Sequence, residues 1–123
     1  MVNINKYHNK KLQVNGESFD SMKELRRWRD LKLLEKAGVI TELRRQVPFE
    51  LIPDQREPDR IGPRGGRKPG RMIERKAVYI ADFVYRDQDG REVVEDCKGM
   101  RTKDYVLKRK ILLFRFGIRI FET

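Results

Sequence analysis

Asp82, Asp96 and Lys98 are the residues whose types and spacing suit chemistry. In a β-strand, residues two apart project from the same face. In "VVEDCKGM", Val93 to Met100, Asp96 and Lys98 therefore point together with Val94, while Glu95 and Cys97 point the other way. Asp82 lies in "KAVYIADFVYRD", on a strand that precedes a turn at Asp87 to Gly90. Antiparallel pairing about Gln88-Asp89 would bring Asp82 close to Asp96 or its immediate neighbours, so two carboxylates and an ammonium would meet at one spot. That group suits metal-assisted phosphodiester hydrolysis. Mg²⁺ is a hard ion that takes oxygen ligands and keeps several waters, so two carboxylates can hold it against a substrate phosphate. The metal polarises the phosphoryl group and lowers the pKa of a bound water. A lysine beside it can orient the attacking hydroxide and stabilise charge developing at phosphorus.

The elements that must position these residues are legible from periodicity and turn chemistry. Asn15-Gly16 in "LQVNGESF" predicts a hairpin, because both residues tolerate positive φ. "SMKELRRWRDLKLLEKAG" predicts a helix from about Ser21 to Ala37, with Met22, Leu25, Trp28, Leu31 and Leu34 as its apolar stripe. Ser21 and Glu24 fit the capping box S-x-x-E, and Gly38 fits the stop. "ITELRRQVPFELIP" reads as a strand with Val47, Phe49 and Leu51 on one face, and Pro48 confines it to a sheet edge or a bulge. Residues 54–72 hold Pro58, Pro63, Pro69, Gly62, Gly65, Gly66 and Gly70, which predicts a mobile basic loop with no regular element. In "KAVYIADFVYRD", Tyr79, Ala81, Phe83 and Tyr85 share one face. "TKDYVLKRKILLFRFG" predicts a second helix, from an N-cap at Thr102 to Gly117, with Leu107, Ile111 and Phe114 among its apolar positions. "IRIFE" closes as a strand. The expected division is a basic arm and hairpin over residues 1–18 and one α/β domain over residues 19–123.

Each chemical reading stands beside a plainer one. Glu24 at the third position of a capping box would bond backbone; as a helical acid it would serve a metal, and both roles stay open. Asp82 interrupts an apolar strand face between Ile80 and Val84, where an unpaired carboxylate is costly, so a cation partner explains it better than chance. Asp96 and Lys98 alone would be a weak surface ion pair. Cys97 as a nucleophile needs a base, and the only histidine is His8 in the polar N-terminal segment. One Cys and one His cannot supply the usual zinc ligands. Cys97 thus reads as a small core residue opposite the site. Gln46 is either a strand-surface amide or a group near the site, and Trp28 belongs to the core stripe.

Asp82 followed by Asp96-Cys97-Lys98 resembles the signature of the PD-(D/E)XK, restriction-endonuclease-like, superfamily, with Ala81 where the motif name has proline. The predicted order of elements resembles its α-β-β-β-α-β core, here with a short N-terminal hairpin and a long basic loop between the first two core strands. "FDSMKELRRWRDLKLLEKAGVI", "QVPFEL", "YIADFVY", "VEDCKG" and "FGIRIFE" look more closely like a phage and prophage family of nuclease-like proteins. The resemblance implies a Mg²⁺- or Mn²⁺-dependent DNA endonuclease of a phage recombination or replication module, of the kind that includes Holliday junction resolvases. It implies catalytic roles for Glu24, Asp82, Asp96 and Lys98. Metal ligation would fall to Asp82, Asp96 and the backbone carbonyl of Cys97, with Glu24 as a further ligand. Hydrolysis would leave a 5′-phosphate, and symmetrical cutting of branched DNA would need a homodimer. The rival is a non-catalytic DNA-binding or scaffolding protein with the same fold. A third reading is a basic protein acting on RNA.

Composition supports a polyanionic partner. Lys and Arg total 29 against 19 acids, a formal net charge of +10. Such a domain seeks nucleic acid first and an anionic membrane surface second. Arg64, Arg67, Lys68 and Arg71 of the loop and Lys103, Lys108 and Lys110 of the second helix are the expected phosphate contacts. No apolar run approaches the roughly 18 residues of a span. One cysteine permits no internal disulfide. The expectation is a soluble protein in the host cytoplasm, without a membrane partner.

Overall fold

The computed structural model describes residues 11–123. Most of the expected N-terminal arm, with Lys6, His8 and Lys10, lies outside the described residues. In chain order the elements begin with β1 (Leu12–Val14), β2 (Glu17–Phe19), α1 (Met22–Lys36), β3 (Thr41–Ile52), β4 (Gln55–Arg56) and β5 (Arg60–Ile61). They continue with β6 (Arg67–Lys68), β7 (Met72–Glu74), β8 (Ala77–Arg86), β9 (Glu92–Asp96), α2 (Lys103–Phe116) and β10 (Ile120–Glu122). The protein is a mixed α/β chain whose main sheet has the order β10-β9-β8-β3. β8 and β9 are antiparallel, and β10 runs parallel to β9. Pro48 sits in β3, an edge strand, as its missing N–H requires of an unbulged strand. No helix among the described residues is long and apolar enough to cross a membrane.

The chain divides into two compact units. The first comprises residues up to Val47 with Ala81–Met100 and Ile120–Thr123, and the second comprises Pro48–Ile80 and Arg101–Arg119.

In the first unit, Asn15 and Gly16 take positive φ, 52° and 80°, and close β1 onto β2 in the predicted hairpin. Ser21 caps α1, its hydroxyl accepting from the Glu24 N–H at 3.1 Å. Leu25 and Leu31 are buried as their helical spacing requires, and Trp28 stacks on Phe83 with ring centroids 5.9 Å apart. Met22 is a correction to the predicted stripe: it opens the helix and stays exposed. Leu31, Ile40, Phe83 and Tyr85 form the core, with Leu34, Val39, Leu43, Val93 and Cys97 packed against it.

In the second unit, α2 begins at the Thr102 cap and ends at Gly117 as predicted, but its buried face differs. Tyr105 and Leu112 are the buried positions, while Leu107 is exposed and Phe114 is 93% exposed. Arg115 donates to the Leu51 carbonyl. Residues 54–72 also differ from expectation. In place of a loop without regular structure they contribute to two short antiparallel ribbons, β4 with β7 and β5 with β6, along one hairpin arm. Gly70 explains how so many glycines permit order here. A Cβ on it would lie 1.8 Å from the Glu57 carbonyl oxygen, so only glycine lets the two sides of the arm close.

Candidate active site

The β8–β9 register pairs Phe83 with Glu95 and Val84 with Val94. Continued by one residue, it sets Asp82 opposite Asp96, as the turn position predicts. Asp82 Oδ2 accepts the Cys97 N–H at 2.9 Å. Asp96 is only 1% exposed, and its Oδ2 lies 3.1 Å from Lys98 Nζ. Two carboxylates and an ammonium therefore gather where β9 ends. Beyond the β9–β10 pairing, the Thr123 N–H donates to the Asp96 carbonyl at 2.9 Å, and the Lys98 N–H donates to the Thr123 carbonyl at 3.2 Å. Cys97 Sγ lies 3.3 Å from Thr123 Oγ1, and its side chain packs with the core, as its place between Asp96 and Lys98 implies. Burial pushes the Cys97 thiol up, away from a reactive thiolate.

The acid pair is electrostatically strained. Burial, then a hydrogen bond with Asp96 and that residue's charge, pushes the Asp82 carboxyl up to about 8, against the lowering effect of the Cys97 N–H. The charge of Glu24 adds to the rise. Glu24 is 3% exposed on α1 and makes the backbone bond its capping position allowed. Its Oε2 accepts the Asp20 N–H at 3.2 Å, a capping bond. Its Oε1 accepts from Arg45 Nη2 at 3.3 Å and from Gln46 Nε2 at 3.2 Å. Consecutive strand residues ordinarily point to opposite faces. Here Gln46 has φ 51°, a left-handed conformation, and both side chains reach one carboxylate.

Two participants lay beyond the sequence reading. Arg45 lies over the Phe19 ring, 3.9 Å from its centroid, and also bonds the Ser18 carbonyl at 2.7 Å. Its place between Leu43 and Val47 on the inward face was the available signal. Glu95, set aside because it faces away from Asp96, is fully buried on that other face. Arg27 grips it with two bonds, Nε to Oε2 at 2.6 Å and Nη2 to Oε1 at 2.8 Å, and Tyr85 Oη donates to Oε1 at 2.8 Å. The hydrogen bond to Glu95 raises the Arg27 pKa further above its ordinary value, while burial and then Glu95 push the Tyr85 phenol up to about 12. A bidentate pair with a third donor satisfies a carboxylate that burial would otherwise penalise. Glu95 thus anchors α1 to the strand that carries Asp96.

The expected nucleic-acid contacts all belong to the second unit. Arg64, Arg67, Lys68 and Arg71 are exposed on the arm. Lys103 and Lys110 are exposed on α2, and Lys108 lies 3.5 Å from Asp104, an i,i+4 pair.

Among the described residues, no three or more His, Cys, Asp or Glu side chains are grouped to hold a metal ion. Glu24 is engaged by Arg45, Gln46 and the Asp20 N–H and stands apart from the pair. What fits a hard cation is the pair itself: two opposed carboxylates, one driven to keep a proton by burial and then by its neighbour, whose repulsion a divalent ion would relieve. Mg²⁺ ordinarily needs only one or two carboxylates beside water and phosphate oxygens. A family described as "Protein of unknown function (DUF1064)" matches residues 4–120, and the chain belongs to that family. No curated protein and no solved structure matches it.

Proposed function

We propose that this DUF1064 protein is a metal-dependent DNA endonuclease that hydrolyses phosphodiester bonds, with a restriction-endonuclease-like core. The observation that carries the reading is Asp82 opposite Asp96 with Lys98 Nζ 3.1 Å from Asp96. The order of core elements, α1, β3, β8, β9, α2, β10, supports it. Asp82, Asp96 and the Cys97 carbonyl would hold Mg²⁺ or Mn²⁺, which would supply Lewis acidity and a nucleophilic hydroxide at neutral pH. Lys98 would position that nucleophile and offset the charge growing on the phosphoryl oxygens. Asp82 gives up its proton when it becomes a ligand. Glu24, held by Arg45 and Gln46, adds its charge to the field at Asp82 after burial and Asp96, and is a positioning residue in this scheme. The substrate would be DNA of a phage recombination or replication module, branched DNA included, with a homodimer pairing two sites for symmetrical cuts in the host cytoplasm.

A second reading is favoured by one observation. Glu24 is committed to three protein donors, and no three-acid cluster exists among the described residues. That is also what a DNA-binding or scaffolding protein on the same framework would show. Plasmid, flap and four-way-junction DNA incubated with and without Mg²⁺ separate the two. The wild type should cut at least one substrate only with metal, Asp96→Asn should lose at least about a hundredfold in rate, and Cys97→Ala should keep most activity. Tight binding without cleavage of any substrate by the wild type would leave the scaffolding reading standing.

A further inference from the structure

The arm from β4 to β7 carries a surface that the hydrolytic chemistry does not use. Between Arg60 and Arg71 it presents Arg60, Arg64, Arg67, Lys68 and Arg71 and no acid. β5 and β6 pair Arg60 with Lys68 and Ile61 with Arg67, so the cations straddle a narrow two-stranded ribbon. Its tip is fastened by the Gly62 N–H to the Gly66 carbonyl at 2.7 Å and the Gly65 N–H to the Gly62 carbonyl at 3.0 Å. Lower down, Arg56 Nη1 bonds the Gly70 carbonyl at 3.0 Å, and the Glu57 N–H bonds the Arg71 carbonyl at 2.8 Å. Arg67 has a partner in Asp59 at 3.4 Å, yet it stays widely exposed. Ile61 is the apolar member of the β5–β6 ribbon. It is 82% exposed, a branched apolar side chain set among cations near the end of the ribbon. Pro63 follows it two residues later.

An exposed isoleucine on a charged ribbon gains nothing in water. A groove of duplex DNA accounts for both features together. The cations would meet phosphates along the two groove walls, and the isoleucine would meet the bases. Apolar wedges such as Ile and Pro inserted between base steps from the minor groove unstack and kink the duplex. We propose that the β4–β7 arm is a DNA-gripping device that enters the minor groove, with Ile61 as the wedge and Arg60, Arg64, Arg67 and Lys68 as its phosphate contacts. It rests on the DNA-binding part of the reading above and not on the cutting part. An RNA duplex fits less well, because its minor groove is wide and shallow.

The test is binding and bending of an end-labelled DNA duplex, followed by anisotropy and by energy transfer between its ends, in EDTA so that no cutting intervenes. The wild type should bend the duplex, and netropsin in the minor groove should compete with it. Ile61→Ser, at an exposed position, should abolish the bend and weaken binding about tenfold. Arg64→Ala with Lys68→Ala should weaken binding across sequences and lower the slope of log affinity against log salt by about 1.8. Ile61→Ser that binds and bends like the wild type would overturn the wedge. So would binding that netropsin leaves unchanged, or tighter binding to duplex RNA. Cleavage in Mg²⁺ by Ile61→Ser would show that the hydrolytic reading survives failure of this one, and bending by Asp96→Asn would show the converse.

Discussion

The Asp82–Asp96 pair makes a testable statement about protons. The Asp82 carboxyl sits at about 8 in the folded protein against an ordinary value of 3.8. Between those two pH values the folded state binds more protons than the unfolded state, so stability falls as pH rises. Without metal, the denaturation midpoint should decline from pH 4 to pH 8, and Asp82→Asn should flatten that decline. A wild-type midpoint that rises through this window would show that the pair does not hold a shared proton. The pair was readable because strand alternation and turn position are local rules: Asp96, Lys98 and the turn at Asp87–Gly90 lie within one short hairpin. The Arg45 and Gln46 grip on Glu24 was not readable. It joins two consecutive strand residues to one carboxylate, which strand alternation does not foresee. Glu95 was discarded for facing the wrong way, although that face is the core, where Arg27 and Tyr85 satisfy it.

Helix ends were legible because caps are chemical: Ser21 and Thr102 accept from the N–H three residues on, and Gly117 takes the left-handed turn. The buried face of α2 was less so. Leu107, Ile111, Leu112, Leu113, Phe114 and Phe116 leave no polar side wide enough to define a single stripe, and the choice fell on Leu107 and Phe114 when Tyr105 and Leu112 go inside. The arm was illegible for a different reason. Glycine and proline ordinarily mark irregular chain, but at Gly70 the glycine serves close approach to Glu57. Gly70→Ala should therefore loosen this element by about 1–3 kcal/mol. Limited trypsin digestion reads it: cleavage after Arg60, Arg64 and Arg67 should quicken while the rest of the chain stays resistant. Unchanged digestion would mean that the arm closes without that contact.

For the molecule as a whole, a net charge of +10 leads to the expectation of a polyanionic partner but does not say which surface would meet it. The acids, Lys98 and Glu24 fall in one compact unit, whereas the arm and the α2 lysines fall in the other. Composition has no means of announcing that partition, since each unit is assembled from separated stretches of chain. The parallel pairing of β10 with β9 carries a consequence for how the protein comes into being. β8 and β9 meet across a five-residue turn, while β10 must return from beyond α2 to flank β9. Short closures cost less entropy and form sooner than long ones. During refolding, pulse-labelled amides of β8 and β9 should gain protection before those of β10, and simultaneous protection would contradict that sequence of events. The acid pair would thus be shaped first and braced afterwards, leaving an interval in which the opposed carboxylates exist without the strand that steadies them.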